Sequence, residues 1–234
     1  MTFLFSALPV LAVGRKATPS RGLGVIDSIV QEAIRDGQIP GAVVLVGHDG
    51  QVIYRKAFGE RALEPRREAM TVDTIFDLAS LTKVVATTTA VMQLVQKGEI
   101  RLNDPVAKYI PEFGENGKEE ITVRELLTHF SGMPKDLDLS QPWEGRETAL
   151  RMACAEKPIY PPGSRFLYSD VNFIVLGALM ERVSGMSLQE YCEKNIFAPL
   201  KMTRTRFLPP ASWLPKIAPT QYDEHDKMLR GVVH

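Results

Sequence analysis

The chain has 234 residues, 44% hydrophobic and 24% charged, with 28 Lys and Arg against 28 Asp and Glu, the balance of an ordinary globular protein. A net charge of zero leaves no electrostatic footprint for nucleic acid, and no basic run supplies one locally. Cys154 and Cys192 have neither CxxC spacing nor a neighbouring histidine cluster; this argues against a zinc site or a disulfide framework and makes both small buried hydrophobes.

Residues 1–20 are read as a leader. Phe3 to Val13 is an apolar run broken by Pro9, too short to span a membrane and about right for a secretory signal. Arg15 and Lys16 follow the run instead of preceding it, which reverses the usual polarity. The segment is therefore a signal or an uncleaved hydrophobic tail, with a periplasmic or secreted location the expectation and a cytoplasmic one the alternative.

Beyond a linker near Thr18 to Gly24, Ile26, Ile29, Val30, Ala33 and Ile34 recur at helical spacing ahead of Gly37, which predicts an amphipathic helix. Two β-rich runs follow, Ala42 to Gly47 and Gln51 to Phe58, joined by His48-Asp49-Gly50. Asp-Gly suits a tight hairpin turn, and His48 is an exposed turn residue. Ser80 to Lys97 is almost uncharged apart from Lys83 and stops at Gly98, so it predicts a helix apolar on nearly all sides and buried in the core. Asp104-Pro105 is an expected helix start, and Thr122 with Glu125 forms a capping box before Leu126 and Leu127. A long apolar helix is expected over Val171 to Val183, closed by Gly185; Ser187 and Glu190 form a second capping box, and the Pro-rich stretch 209–219 ends the pattern. One hairpin and at least five helices indicate an α+β fold whose strands need further partners.

The chemistry concentrates at Ser80-Leu81-Thr82-Lys83. Residues three apart on a helix share a face, so the Ser80 hydroxyl and the Lys83 amine can converge. A serine needs a base to become nucleophilic, and a lysine desolvated by Leu78, Val84, Val85 and Ala86 can act as one. A Ser-x-x-Lys match arises by chance on the order of once in a chain of this size; what distinguishes this one is that Lys83 is the lone charge in an apolar helix. The second element is Tyr168-Ser169-Asp170, after Pro162-Gly163 and ahead of the long helix. Tyr168 can act as an acid/base and Asp170 can bond Lys83 or a substrate amide; equally, Tyr168 can pack by its ring and Asp170 can cap the helix. For His129, beside a helix end, a structural hydrogen bond or dipole contact is the default. No histidine pairs with Ser80 in a triad, and no GxSxG elbow or metal-ligand spacing occurs.

Four collinear segments, PGAVVLVGHDGQVIYRKAFG, FDLASLTKVVATTTAVMQLVQKGEIRLNDPVAKYIPEF, ITVRELLTHFSGMP and PPGSRFLYSDVNFIVLGALMERVSG, resemble the serine β-lactamase and penicillin-binding-protein superfamily in its class C-like branch, which includes family VIII esterases and D-Ala-D-Ala peptidases. The resemblance runs from Ile26 onward. It implies an antiparallel sheet flanked by helices with an all-helical insertion at about 100–185, within an incomplete hydrolase domain over 21–234. It also implies Ser80 as the acylated nucleophile, Lys83 as its base or proton relay, Tyr168 as the second acid/base and Asp170 as a substrate-binding position where many relatives carry Asn. A carboxylate there could instead pair with Lys83 and make it a poorer base. The third motif of the superfamily, Lys-Thr-Gly or His-x-Gly, lies in relatives on the order of a hundred residues further on, so C-terminal sheet strands are expected to be missing from this chain. The implied activity needs no cofactor and no metal, and acts on small ester or amide substrates: a β-lactam, a D-alanyl peptide or a short-chain ester, an esterase or general β-lactamase-related hydrolase being preferred to a true resistance enzyme. The alternative is a non-catalytic protein of the same fold that binds ligands or acts in assembly. Membrane association and oligomeric state are left open.

Overall fold

A computed structural model describes residues 22–140 and 142–232; the leader expected over 1–20 lies outside them. The chain divides into two compact units, one formed by residues up to Asp77 together with those from Pro210 onward, the other by Leu78–Pro209.

The first unit opens with α1 (Gly24–Arg35), which has Asp27 in its first turn and Arg35 in its last, charges that complement the helix dipole. Ile26, Val30, Ala33 and Ile34 are half-buried, whereas Ile29 faces solvent. Strands β1 (Gly41–His48) and β2 (Gln51–Ala62) form the expected hairpin. Its turn residues Asp49 and Gly50 both have positive φ, the left-handed pair that matches the twist of the flanking strands. The carboxylate of Asp27 accepts hydrogen bonds from Lys56 Nζ at 2.6 Å and from the Tyr54 hydroxyl, which ties α1 to β2. A two-residue strand, β3 (Glu68–Ala69), completes an antiparallel sheet of order β1-β2-β3. It is too short for any period-2 pattern to announce it. Within the Pro-rich stretch, a 3-10 segment (Ala211–Lys216) precedes Ile217, which bridges in parallel to Ile75. Glu68 gathers Arg61 and Arg230, each at 3.0 Å.

The second unit is helical and reaches beyond 100–185 on both sides. A π-helical segment (Lys83–Thr88) runs directly into α2 (Thr89–Gln96). Their inner face, Ala86, Thr87, Ala90, Val91 and Leu94, is buried, but Leu81 is 58% and Val84 56% exposed. This corrects the expectation of a helix buried on all sides: apolar composition on the outer face did not mean burial there. Asp104 does not start a regular helix either. Only a 3-10 turn (Val106–Lys108) follows Pro105, and the Asp104 carboxylate accepts from Lys108 Nζ at 2.6 Å and the Tyr109 hydroxyl at 2.7 Å. Both capping boxes form, Thr122 with Glu125 opening α3 (Val123–Leu127) and Ser187 with Glu190 opening the helix that follows α5.

The sequence reading missed α4 (Arg146–Ala155). Its N-cap is Gly145, without a side-chain oxygen, and its buried positions are Ala149, Leu150, Ala153 and Cys154, all but Leu150 small residues that leave a weak apolar stripe. Lys118, fully buried, closes its far end: Nζ donates to the carbonyls of Cys154 at 2.9 Å and Glu156 at 2.6 Å and lies over the Phe113 ring. The longest helix, α5 (Asp170–Ser184), is capped by the Ser169 hydroxyl and ends at Gly185. With α6 (Leu188–Cys192), it contributes Val171, Val175, Leu176, Leu179, Met180, Tyr191 and Cys192 to one core shared with α2 to α4. Both cysteines are buried and free; burial pushes their thiols up, that of Cys192 to about 11.

Candidate active site

Everything in this site belongs to the helical unit. Ser80 sits in a run of tight turns, Leu81 N–H to Leu78 O at 2.9 Å, Thr82 N–H to Ala79 O at 3.0 Å and Lys83 N–H to Ser80 O at 3.0 Å. The residue before it, Ala79, has φ of 43°, a backbone region uncommon for any residue but glycine. These turns feed the π-helical segment that begins at Lys83, and π-helical turns inside helices are frequent at functional sites. The result leaves Ser80 exposed while Lys83 is folded against it.

Lys83 Nζ donates to Ser80 Oγ at 3.1 Å. From the other side, the Tyr168 hydroxyl donates to the same oxygen at 2.8 Å. Asp170, the first residue of α5, forms an ion pair with Lys83 Nζ. The amine also lies 5.1 Å from the Tyr168 ring centroid and 5.8 Å from that of Phe173. The structure thus brings the four residues singled out from the sequence together: Lys83 and Tyr168 meet at the Ser80 hydroxyl, and Asp170 stands behind Lys83.

Two features differ from the sequence reading. The walls around Lys83 are Tyr168 and Phe173, together with Asp170, whereas Val84 is turned to solvent. Ser169, not Asp170, caps α5, which leaves the Asp170 carboxylate free to reach Lys83. The electrostatics follow. Burial pulls the Lys83 ammonium down, but hydrogen bonds to Asp170 and Tyr168 and the charge of Asp170 outweigh it, so the net direction is above the ordinary lysine value. At neutral pH Lys83 is an ammonium that donates to Ser80.

His129 is the residue whose part the sequence understated. It does make a structural hydrogen bond, but the donor is the N–H of Ser169, at 3.1 Å from Nδ1, inside the Tyr-Ser-Asp motif. Its ring stacks on Tyr168, with centroids 4.5 Å apart. Its φ of 60° is a local signal that only the folded backbone reveals. Among the described residues, no group of three or more His, Cys, Asp or Glu side chains could hold a metal ion.

The profile of the beta-lactamase family matches residues 26–231. The chain belongs to the beta-lactamase family. This beta-lactamase-family chain is 32% identical, over its whole length, to a Salmonella agona (strain SL483) protein named "Putative D-alanyl-D-alanine carboxypeptidase", of which it covers 60%. Among solved structures it is similar to EstCE1, described as a hydrolase with promiscuous acyltransferase activity (TM-score 0.70, 29% identity, 88% of this chain and 57% of that one). It is also similar to the octameric penicillin-binding protein homologue from Pyrococcus abyssi (TM-score 0.75, 29% identity, 91% and 52%). A class C beta-lactamase aligns with TM-score 0.75 and 25% identity over 90% of this chain and 57% of its own. The fold is thus α+β and β-lactamase/transpeptidase-like, and the chain spans about 60% of the length of the curated relatives it matches.

Proposed function

We propose that the protein is a serine hydrolase working through an acyl-enzyme on Ser80. One observation carries the reading: a single exposed hydroxyl lies within hydrogen-bond range of both an amine and a phenol, the arrangement an activated serine needs. In the reactive form Lys83 is neutral. Ser80 Oγ bonds to the substrate carbonyl carbon while its proton passes to Lys83 Nζ. Tyr168 then gives its phenolic proton to the leaving oxygen or nitrogen, and Lys83 returns a proton to Tyr168. Water attacks the acyl-enzyme and its proton replaces the one on Ser80 Oγ as the acid is released. Asp170 opposes the first step by holding Lys83 protonated, and so sets the pH at which acylation begins.

For substrates we propose small esters or amides, a short-chain ester, a β-lactam or a D-alanyl peptide, with an esterase or general β-lactamase-related hydrolase preferred to a true resistance enzyme; the class C enzyme and the carboxypeptidase-named relative stand behind the last two classes in turn, and EstCE1, a hydrolase with promiscuous acyltransferase activity, behind acyl transfer as such. The test is the mass of the chain after incubation with a fluorophosphonate or penicillin. A covalent adduct on the native chain that disappears in Ser80→Ala is expected; an adduct that survives the substitution removes Ser80 from its role. The resting Lys83 ammonium favours a second reading, a ligand-binding protein without turnover. Absence of any adduct or of p-nitrophenyl acetate hydrolysis, with reversible penicillin binding retained, would support that one instead.

A further inference from the structure

We propose that His129 is a positioning residue for this site: its imidazole fixes the Tyr168-Ser169-Asp170 segment so that the phenol of Tyr168 reaches Ser80 and the carboxylate of Asp170 reaches Lys83. The inference rests on the acyl-transfer reading for its kinetic consequence, and on geometry for the rest.

Three of the contacts that hold the segment involve His129. Its carbonyl accepts the Leu167 N–H at 2.8 Å, its Nδ1 accepts the Ser169 N–H at 3.1 Å, and its ring lies against Tyr168 between them. A backbone N–H can donate only to a lone pair, so Nδ1 is unprotonated and the proton of the neutral ring sits on Nε2. Phe166 and Phe173 close the other sides of the ring at centroid distances of 5.8 and 5.3 Å. Beneath it, buried Asn172 brings its side-chain amide to 3.5 Å from Nδ1, while its Oδ1 accepts from buried Ser131 at 2.6 Å. The next residues of the same strip continue the pattern: Ser169 Oγ donates to Pro134 O at 2.6 Å and Asp170 N–H to Lys135 O at 2.7 Å. Segment 129–135 is thus a rail along which the motif is laid, with His129 at the point nearest Tyr168.

Burial holds the His129 imidazole below the ordinary histidine range, the Lys83 charge adds to this, and Asp170 opposes it. Protonation would remove the acceptor for Ser169 and set a cation beside Lys83. The groups facing the ring are Lys83 from the segment after Ser80, Phe166 and Tyr168 from the loop, and Asp170, Asn172 and Phe173 from α5.

The test uses the full chain and two substitutions that suit a φ near +60°. His129→Gly removes ring and acceptor; His129→Asn restores an acceptor oxygen close to the place of Nδ1 and tolerates the same backbone. In the native chain, a scalar coupling across the N–H···N bond between Ser169 N and His129 Nδ1 is expected, together with one ordered set of Tyr168 ring resonances, assigned through Tyr168→Phe. His129→Gly is expected to broaden that set and to slow covalent modification of Ser80 by about tenfold at unchanged probe affinity, the scale of one hydrogen bond. His129→Asn is expected to recover most of both. Native-like rates and Tyr168 resonances in His129→Gly, an His129→Asn variant as impaired as His129→Gly, or absence of the coupling would overturn the proposal. If the native chain is not modified at all, the acyl-transfer reading fails, and the coupling and the Tyr168 resonances still decide the positioning role.

Discussion

Replacing Asp170 by Asn tests the electrostatics of the site more directly than deleting any group that touches Ser80. The amide oxygen can still accept from Lys83, so the lysine keeps its place while its counter-charge is gone. Breaking a fully buried pair costs about 3–5 kcal/mol, whereas an exposed pair is worth about 0.2–1 kcal/mol. Lys83 is 15% exposed and Asp170 43%, which places this pair between the two, at about 1–2 kcal/mol. Without the carboxylate, burial, the largest single influence on Lys83, is opposed by Tyr168 alone. The neutral amine becomes about 5- to 30-fold more abundant at pH 7, at 1.36 kcal/mol per factor of ten. Acylation by p-nitrophenyl acetate, followed as burst rate against pH, should quicken by that factor at neutral pH, and its ascending limb should move to lower pH. A slower burst with an unmoved limb would refute the assignment of Lys83 as the proton acceptor and leave it a fixed cation that orients Ser80 and Tyr168.

The remaining predictions concern contacts inside each unit. Hydrogen bonding to Arg230 first, and then to Arg61, holds the Glu68 carboxyl below its ordinary range against the opposing effect of burial; its contribution is therefore present above the usual glutamate pKa and lost as pH falls through the depressed value. Glu68→Gln should lower the melting temperature at pH 7, and the loss should shrink as pH falls below the usual glutamate range; a loss equal at every pH would show that the pair contributes by packing alone. Lys118→Met keeps the buried volume but strips two charge-assisted hydrogen bonds from the end of α4; urea unfolding should show a loss of about 2–3 kcal/mol, and a loss under about 0.5 kcal/mol would contradict the capping role. Gly132→Ala meets both a φ of 75° and the Tyr160 carbonyl at 2.1 Å from the added carbon, so it should destabilise the fold by more than about 3 kcal/mol or abolish soluble expression; a native-like urea midpoint would show that the strip 129–135 can shift.

Elements announced by side chains that act locally were legible in the sequence. Thr122 and Ser187 each satisfy backbone donors three residues on, and Asp49-Gly50 carries its own turn conformation; none of these needs a distant partner, so short patterns suffice to find them. The elements that escaped depend on tertiary partners. Helix α4 is completed by Lys118, which arrives from a loop before α3, and the two residues of β3 acquire strand geometry only because Glu60 and Ala62 lie opposite them. The exposure of Leu81 and Val84 shows the converse error, in which composition was taken for burial.

At the site, residue types and order were enough to bring Ser80, Lys83, Tyr168 and Asp170 forward, but not to divide the work among them. One open question turned on a neighbour. Asp170 could have capped α5 or paired with Lys83, and it pairs because Ser169, one residue earlier, supplies the cap to Asn172 N–H. Ser169 in turn keeps its place because its own N–H is taken by His129 and its hydroxyl also donates to Pro134 O. A carboxylate released from capping is available to pair with Lys83, so the hydrogen-bond chain that begins forty residues away at His129 bears on the proton affinity of the amine beside Ser80. That chain joins the Asp170→Asn and His129 experiments: disordering the segment by His129→Gly should loosen the Asp170–Lys83 pair, and the ascending limb of the acylation profile should then shift in the same direction as in Asp170→Asn, by less. An unmoved limb would show that His129 acts on Tyr168 alone.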